Sequence, residues 1–270
     1  MLSEPLLRLS CFLTTLTLFA LWETIAPRRP LSQPKTKRWF GNIGLAVLDT
    51  LLLRIVFPTA AVGIAAIAQT RNWGLFNVLD VKEWEAIAGS LIALDFVIYV
   101  QHVLFHALPT LWRIHRVHHT DLDFDVTTAL RFHPIEILLS MGIKILAVLG
   151  LGAPPEAVLA FEILLNASAL FNHSNSQLPL ALDRLLRWII VTPDMHRVHH
   201  SVLVHETNSN YGFNLPWWDY LLGTYRSQPT QGHLAMTIGL QDYQDPCVLN
   251  LPWLLTAPFR NPMQHQPPSR

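Results

Sequence analysis

The chain has 270 residues, of which 51% are hydrophobic and only 14% charged, and its formal net charge is zero. That balance is too apolar for an ordinary soluble domain and leaves no broad basic field for nucleic acid. The only cysteines, Cys11 and Cys247, exclude a thiolate zinc site, a cysteine-bound iron–sulfur cluster and a disulfide framework, so any metal must be held by nitrogen or oxygen.

The first apolar stretch runs over 7–25. No small-residue cleavage site follows it, but Trp22 and a basic loop do, so a retained helix is expected rather than a removed signal peptide. The loop carries Arg28, Arg29, Lys35, Lys37 and Arg38 with no acid between them, which predicts a cytoplasmic loop. Stretches at 43–69 and 84–108 each exceed the roughly 20 residues needed to cross hydrocarbon. Two shorter stretches, 135–151 and 155–172, flank Gly150-Leu-Gly152-Ala-Pro154-Pro155, a helix stop followed by a turn. They read as a hairpin. Nine tryptophans suit a chain with aromatic residues at a bilayer interface.

These elements predict an all-α integral membrane bundle: about three long spans plus a helical hairpin, with a histidine-rich helical cap on the cytoplasmic side. Helix two leads out, helix three leads back, and the hairpin 135–172 goes out and returns. Residues 102–134 and the chain after 172 then share one compartment. The expected division is 1–80 for the N-terminal helices and basic loop, 81–226 for the catalytic domain, and 227–270 for a C-terminal tail. Four charges fall inside apolar stretches: Asp49, Arg54, Lys144 and Glu162. Reflection of the hairpin about its turn brings Lys144 to the depth of Glu162, and an ion pair is expected because an isolated charge in hydrocarbon is costly.

The pentapeptide His-Arg-Val-His-His occurs twice, at 115–119 and 196–200, and His102-Val-Leu-Phe-His106 lies just before the first copy. Eight of the 13 histidines sit in these three stretches, too many for one ordinary metal site and enough for two ions side by side. Neutral imidazole is a good ligand for iron, zinc and copper alike. His102 and His106 are spaced i, i+4; His115, His118 and His119 are spaced i, i+3, i+4, as are His196, His199 and His200. Each set therefore shares one helix face. Ligating imidazoles usually give their second N–H to a carboxylate or carbonyl. Asp121, Asp123, Asp125, Asp194 and Glu206 are close enough in sequence to be candidates. His133 and His173 stand alone and read as structural residues on composition; His205, His233 and His265 read as surface or tail.

The H-E-x-x-H pattern of zinc peptidases and the H-x-E…P-C-x-x-C pattern of zinc deaminases are absent. A histidine cage at a membrane surface suits a redox metal that activates O₂ against a lipid C–H bond, for which iron is the usual choice. Two other classes remain. A dinuclear zinc lipid hydrolase would need a water-activating base, for which Glu206 or Asp194 is available. A non-enzymatic metal-binding or transport protein would want ligands along a transmembrane path, and the first two apolar stretches contain no histidine.

The order His102-x-x-x-His106, His115-x-x-His118-His119, His196-x-x-His199-His200 on such a scaffold resembles the fatty acid hydroxylase/sterol desaturase superfamily. Arg131-Phe-His133-Pro134-x-Glu136, Asn172-His173-Ser-Asn175, Asn210-Tyr211-Gly212 and Trp218-Asp219-x-x-x-Gly223-Thr224-Tyr225 strengthen the likeness, which covers about 85–226. The resemblance implies two non-haem irons, O₂ as co-substrate, and hydroxylation or desaturation of a lipid. It implies that His102, His106, His115, His118, His119, His196, His199 and His200 are ligands and that His173 joins them, with His133 beside the cage. Some members carry another histidine four residues after His173; here the residue is Gln177, so one iron is expected to have fewer rings or a water. No dinucleotide motif, cysteine cluster or haem module is present, so electrons are expected from a separate donor protein or a reduced small cofactor.

Overall fold

A computed structural model describes residues 3–261; His265 lies outside them. All regular structure among the described residues is helical, apart from two isolated β-bridges. Helix α1 spans Glu4–Ile25, α2 Lys35–Val56, α3 Ala60–Thr70, α4 Leu75–Val78, α5 Glu83–Ala107, α6 Pro109–His119, α7 Pro134–Leu151, α8 Pro155–Asn172, α9 Leu180–Leu186 and α10 Pro193–His199. Short helices and turns complete the chain.

The expected helix over 43–69 is broken. Pro58 lacks an N–H and disfavours helical backbone at Phe57, so α2 ends at Val56 and α3 restarts at Ala60. Helix α2 also begins eight residues earlier than its apolar stretch, at Lys35. The third stretch ends at Leu108, ahead of Pro109 at the start of α6. The hairpin appears as read: Gly152 closes α7 in the left-handed conformation (φ 67°) and Pro155 opens α8. A Cβ on Gly74 would lie 2.1 Å from the Gly152 amide nitrogen, so the turn before α4 packs directly on the hairpin turn.

Among the described residues four helical segments are long and apolar enough to cross a membrane: Glu4–Ile25, the broken Lys35–Val78, Glu83–Ala107 and Pro134–Leu151. Their outer faces expose Leu9, Leu13, Val47, Leu51, Ile92, Phe96 and Leu146, an apolar surface a soluble monomer would not display. Inside, Ala61 and Ala65 of α3 pack against Leu94 and Ile98 of α5, Val148 of α7 and Phe161 of α8. Lys144 and Glu162 form the expected pair at 2.7 Å, joined by Arg8 at 2.7 Å on the other carboxylate oxygen.

Both ends of the chain close on the middle. The basic loop is not free: Arg28 binds Asp194 at 2.9 Å, Arg29 donates to the Met236 carbonyl at 2.8 Å, and the fully buried Arg38 binds Asp121 at 2.7 Å and Asp125 at 2.5 Å. The described residues after 227 are packed as well. Val248, Leu249, Trp253, Leu254 and Ala257 form a core with Leu45 of α2 and Val117 of α6. His233, expected at the surface, is buried 3.5 Å from Asp194; His205 is exposed as expected.

Candidate metal centre

Proline at the first helical position fixes the start of both pentapeptide helices, where its missing N–H costs nothing. In α10 the Thr192 hydroxyl also caps, accepting from the Met195 N–H at 3.3 Å. The non-histidine members of each copy have separate duties. Val117 and Val198 are fully buried in the core. Arg116 donates to the carbonyls of Ala257 and Arg260 at 2.6 and 2.5 Å, while Arg197 is buried against Asp194. Each helix is thus locked in rotation about its axis, and its three rings are aimed together.

The nine predicted rings meet in two groups. His102, His106, His115, His119 and His199 form one; His118, His173, His196 and His200 form the other. Within each group the available ring nitrogens all lie within 4.8 Å of one another. Each pentapeptide serves both groups. The first copy gives His115 and His119 to the five-ring group and His118 to the four-ring group; the second gives His199 to the former and His196 and His200 to the latter. Adjacent residues diverge by about 100° around a helix, so neighbouring rings reach different centres. Gln177 is exposed and outside both groups, so the second group has four rings.

Outer partners orient the five-ring group. The Nδ1–H groups of His102 and His199 face the carbonyls of Tyr211 and Ser209 at 2.8 and 2.7 Å. His106 Nδ1 pairs with the Asn208 side-chain oxygen at 3.1 Å, and His115 Nδ1 with Glu136 at 2.7 Å. Each bond turns the Nε2 lone pair inward. His173 follows the same rule in the other group, donating from Nδ1 to the Ala169 carbonyl at 2.8 Å. Its Nε2 then lies 3.1 Å from Nε2 of both His118 and His196.

The buried Nε2 atoms of His102, His106 and His199, and both nitrogens of His200, have no hydrogen-bond partner. So many orphaned ring nitrogens in a dry interior are costly unless a cation takes their lone pairs. Opposite nitrogens on an ion with bonds of about 2.1 Å are about 4.2 Å apart, so each group needs only small ring movements to close on one ion. Burial and neighbouring imidazoles hold the pKa of His118, His119, His196, His199 and His200 well below the usual histidine range. Burial lowers His173 to about 4. These six rings are therefore neutral near pH 7, the state that ligates metal.

The acidic residues expected to orient the rings do something else. Asp121 and Asp125 hold Arg38; Asp123 accepts from the Ser32 and Gln33 amides, each at 2.7 Å; Glu206 accepts from the Thr230 amide at 2.5 Å. Asp194 is taken by Arg28, Arg197 and His233. These bonds leave Asp194 and Glu206 out of the base role that a zinc hydrolase would give them. The carboxylate that does meet a ring is Glu136, whose sequence signal is its place in Arg131-Phe-His133-Pro134-x-Glu136. His133 caps α7, accepting from the Ile135 N–H at 3.2 Å, and belongs to neither group.

Sequence reasoning also missed Asp95, a buried charge in the middle of α5. It accepts from the Asn214 side chain and the Trp218 indole, each at 2.8 Å. Asp219 accepts from the amides of Tyr211 and Gly212 at 2.8 Å and from the Thr224 hydroxyl at 2.6 Å. Together they fix the loop that presents the Tyr211 carbonyl to His102. A Cβ at position 212 would meet the Asp219 carboxylate at 2.7 Å, which explains the glycine there.

An all-helical bundle with a lipid-type exterior and two groups of converging imidazoles defines a membrane protein with a candidate dinuclear metal centre. A family model described as fatty acid hydroxylase matches residues 87–224, and the chain belongs to that family. It is 30% identical over 227 residues to ornithine lipid hydroxylase OlsE of Rhizobium tropici, covering 81% of this chain and 66% of that protein. It is 30% identical over 160 residues to human alkylglycerol monooxygenase, covering 58% of this chain and 34% of the relative. Human cholesterol 25-hydroxylase is 29% identical over 147 residues, covering 52% and 51%. The chain thus spans less than two thirds of the first two relatives. No solved structure shows significant similarity to it.

Proposed function

We propose that this protein is a membrane-bound, non-haem di-iron oxygenase that hydroxylates or desaturates a lipid, with O₂ as co-substrate and electrons from a separate donor protein or reduced small cofactor. The observation that carries the reading is the pair of histidine groups with inward, unpartnered nitrogens at one end of α5. The relatives named above are lipid hydroxylases and monooxygenases, which supports the substrate class. His102, His106, His115, His119 and His199 would hold one iron, and His118, His173, His196 and His200 the other. Bound there, the metal pair supplies the one-electron chemistry needed to activate O₂ towards an unactivated C–H bond.

The protein's own residues do the rest. Glu136 and the carbonyls of Tyr211, Ser209 and Ala169 keep a proton on Nδ1 of their rings, so that Nε2 faces the metal. Phe124, 5.0 Å from His200, and Phe132, stacked at 4.5 Å on His118, exclude water from the four-ring group. Trp112, 4.8 Å from His106, covers the other. Aromatic walls of this kind would limit the access of adventitious reductants to metals held there. Whether hydroxylation or desaturation follows depends on where the substrate carbon sits relative to the centre, a matter of fractions of an ångström.

We place the site on the cytoplasmic side, a reading supported by the basic segment Arg28–Arg38 bound directly to the histidine cap. A reporter fused to either end of the chain tests that orientation. The central test is metal content and product formation by purified protein expressed with excess iron. About two irons per chain and product only when O₂ is present are expected. Two zinc ions, or product under strict anaerobiosis, would overturn the proposal.

A further inference from the structure

An apolar surface remains that the spans do not account for. Helix α9 and the turn after it expose Leu180, Leu185, Trp188 and Ile189, at 56 to 68%, with Arg184 the exposed charge on α9 beside them; the short helix Trp217–Leu222 exposes Trp217 at 41%, Leu221 at 73% and Leu222 at 56%. The two elements form one unit. The Trp217 indole donates to the Trp188 carbonyl at 2.8 Å, the Tyr220 hydroxyl donates to the Arg187 carbonyl at 3.0 Å, and Trp188 stacks on Tyr220 at 5.6 Å. Seven residues is too short for α9 to cross anything.

Their position relative to α5 decides what covers them. Helix α5 has 25 residues and is about 37 Å long at 1.5 Å per residue. Asp95 lies at its midpoint, about 18 Å from either end, while His102 lies about 7 Å from the C-terminal end. The Trp218 indole is bound to Asp95, and its ring packs on Phe96 at 4.8 Å. Phe96, Ile92 and Val100 are themselves exposed along the outer face of α5. If α5 crosses a bilayer, the helix Trp217–Leu222 is tied to its middle, well below the level of the histidines. Its outward leucines then continue the lipid-facing surface of α5. Little water is available to this loop at that depth, and most of its donors need none: Asp95 and Asp219 accept from its backbone and side-chain donors, which leaves the Asn214 side-chain oxygen as the buried group without a partner.

We infer that the α9–Trp188–Ile189 and Trp217–Leu222 surface is embedded in the hydrocarbon of the leaflet next to the histidine centre, as a re-entrant face that enters and leaves on the same side. Its partner is the acyl region of a lipid bilayer. The consequence is that the loop carrying Tyr211, which orients His102, is itself seated in lipid beside α5. The inference rests on α5 crossing a membrane and not on the identity of the metal or the reaction.

The test uses the full chain with Cys11→Ser and Cys247→Ser, reconstituted in phosphatidylcholine vesicles. A nitroxide is attached singly at Leu221→Cys, Ile189→Cys or, as a polar exposed control, Gln228→Cys. All three positions lie at the surface. Metal content equal to the parent's, with an unchanged helical circular-dichroism spectrum, confirms that each variant folds. Relaxation by O₂, which concentrates in hydrocarbon, is compared with relaxation by a water-soluble nickel chelate. The expected O₂-to-chelate ratio is at least several-fold higher at positions 221 and 189 than at 228. Chelate access at 221 and 189 equal to that at 228 would overturn the inference. So would protection from both agents together with spin–spin broadening, which would make this face a contact between two copies of the chain. A label on the outer face of α5, at Ile92→Cys, separates failure of the inference from failure of its premise: high O₂ access at 92 with chelate access at 221 rejects the re-entrant face alone.

Discussion

The two histidine groups are built from the same pentapeptide yet differ in how they are supported. Four of the five rings in the larger group have an Nδ1 fixed by an outer acceptor, and its His106 is only half-buried. In the smaller group His173 alone has its Nδ1 fixed in this way. All four of those rings are at most 1% exposed, and two phenyl rings wall them in. The larger group is held by hydrogen bonds and reached from outside; the smaller is held by packing and closed. The difference assigns them different vulnerabilities: one to changes in its polar supports, the other to changes in the core.

The largest expected effects test whether the groups are two centres at all. His199→Ala and His118→Ala should each lower turnover on the order of 10²-fold or more, and each should remove about one metal per chain, measured by elemental analysis. Full activity in either variant would take that ring off the ligand list. Arg38→Met should come next. It leaves Asp121 and Asp125 buried without their cation, which costs about 3–5 kcal/mol and should show as a large drop in the thermal midpoint.

Glu136→Gln sharpens the comparison further. It weakens the carboxylate behind His115 and should cost about 10- to 100-fold in metal affinity or activity, with the loss confined to the five-ring group. A chelator should likewise strip metal in two phases, the faster from the group that contains His106; a single phase would remove the distinction in access.

Acid should act more gradually. His173 has a folded-state pKa of about 4 against 6.5 for the free side chain. The unfolded chain therefore takes up the proton first, and stability is complete above about pH 6.5 and falls from there towards pH 4. A denaturant midpoint for the metal-free protein that rises as the pH is lowered from 6.5 to 4 would contradict this sign. The smallest effect is reserved for His133→Ala, which removes a helix cap worth about 1 kcal/mol and should leave the metal content unchanged.

The duplicated pentapeptide, the His102–His106 pair and the resemblance that added His173 brought all nine rings to notice from sequence alone, because imidazoles at i, i+3 and i+4 share a helix face whatever surrounds them. The hairpin was equally legible, since glycine and paired prolines dictate a turn locally. The break at Pro58 has a local cause too, but hydropathy runs straight through it. The supports of the rings were not legible. Five nearby acids looked suited to the task, and the structure assigns them to arginines, amides and His233 from distant segments, while Glu136, the Asn208 side chain and three backbone carbonyls hold the imidazoles.

Sequence by itself determined that eight clustered histidines are candidates for one site and that their helices belong to an apolar bundle, because composition and helical period are local properties; His173 entered only through the resemblance. Only the tertiary structure decided how the rings divide. His118 and His119, or His199 and His200, are neighbours in the chain, but the angle between adjacent residues on a helix sends them to different centres once α5, α6, α8 and α10 are packed together. It also decided that Asp95 ties the Trp217–Leu222 segment to the middle of α5, a contact made across more than a hundred residues that no local pattern records.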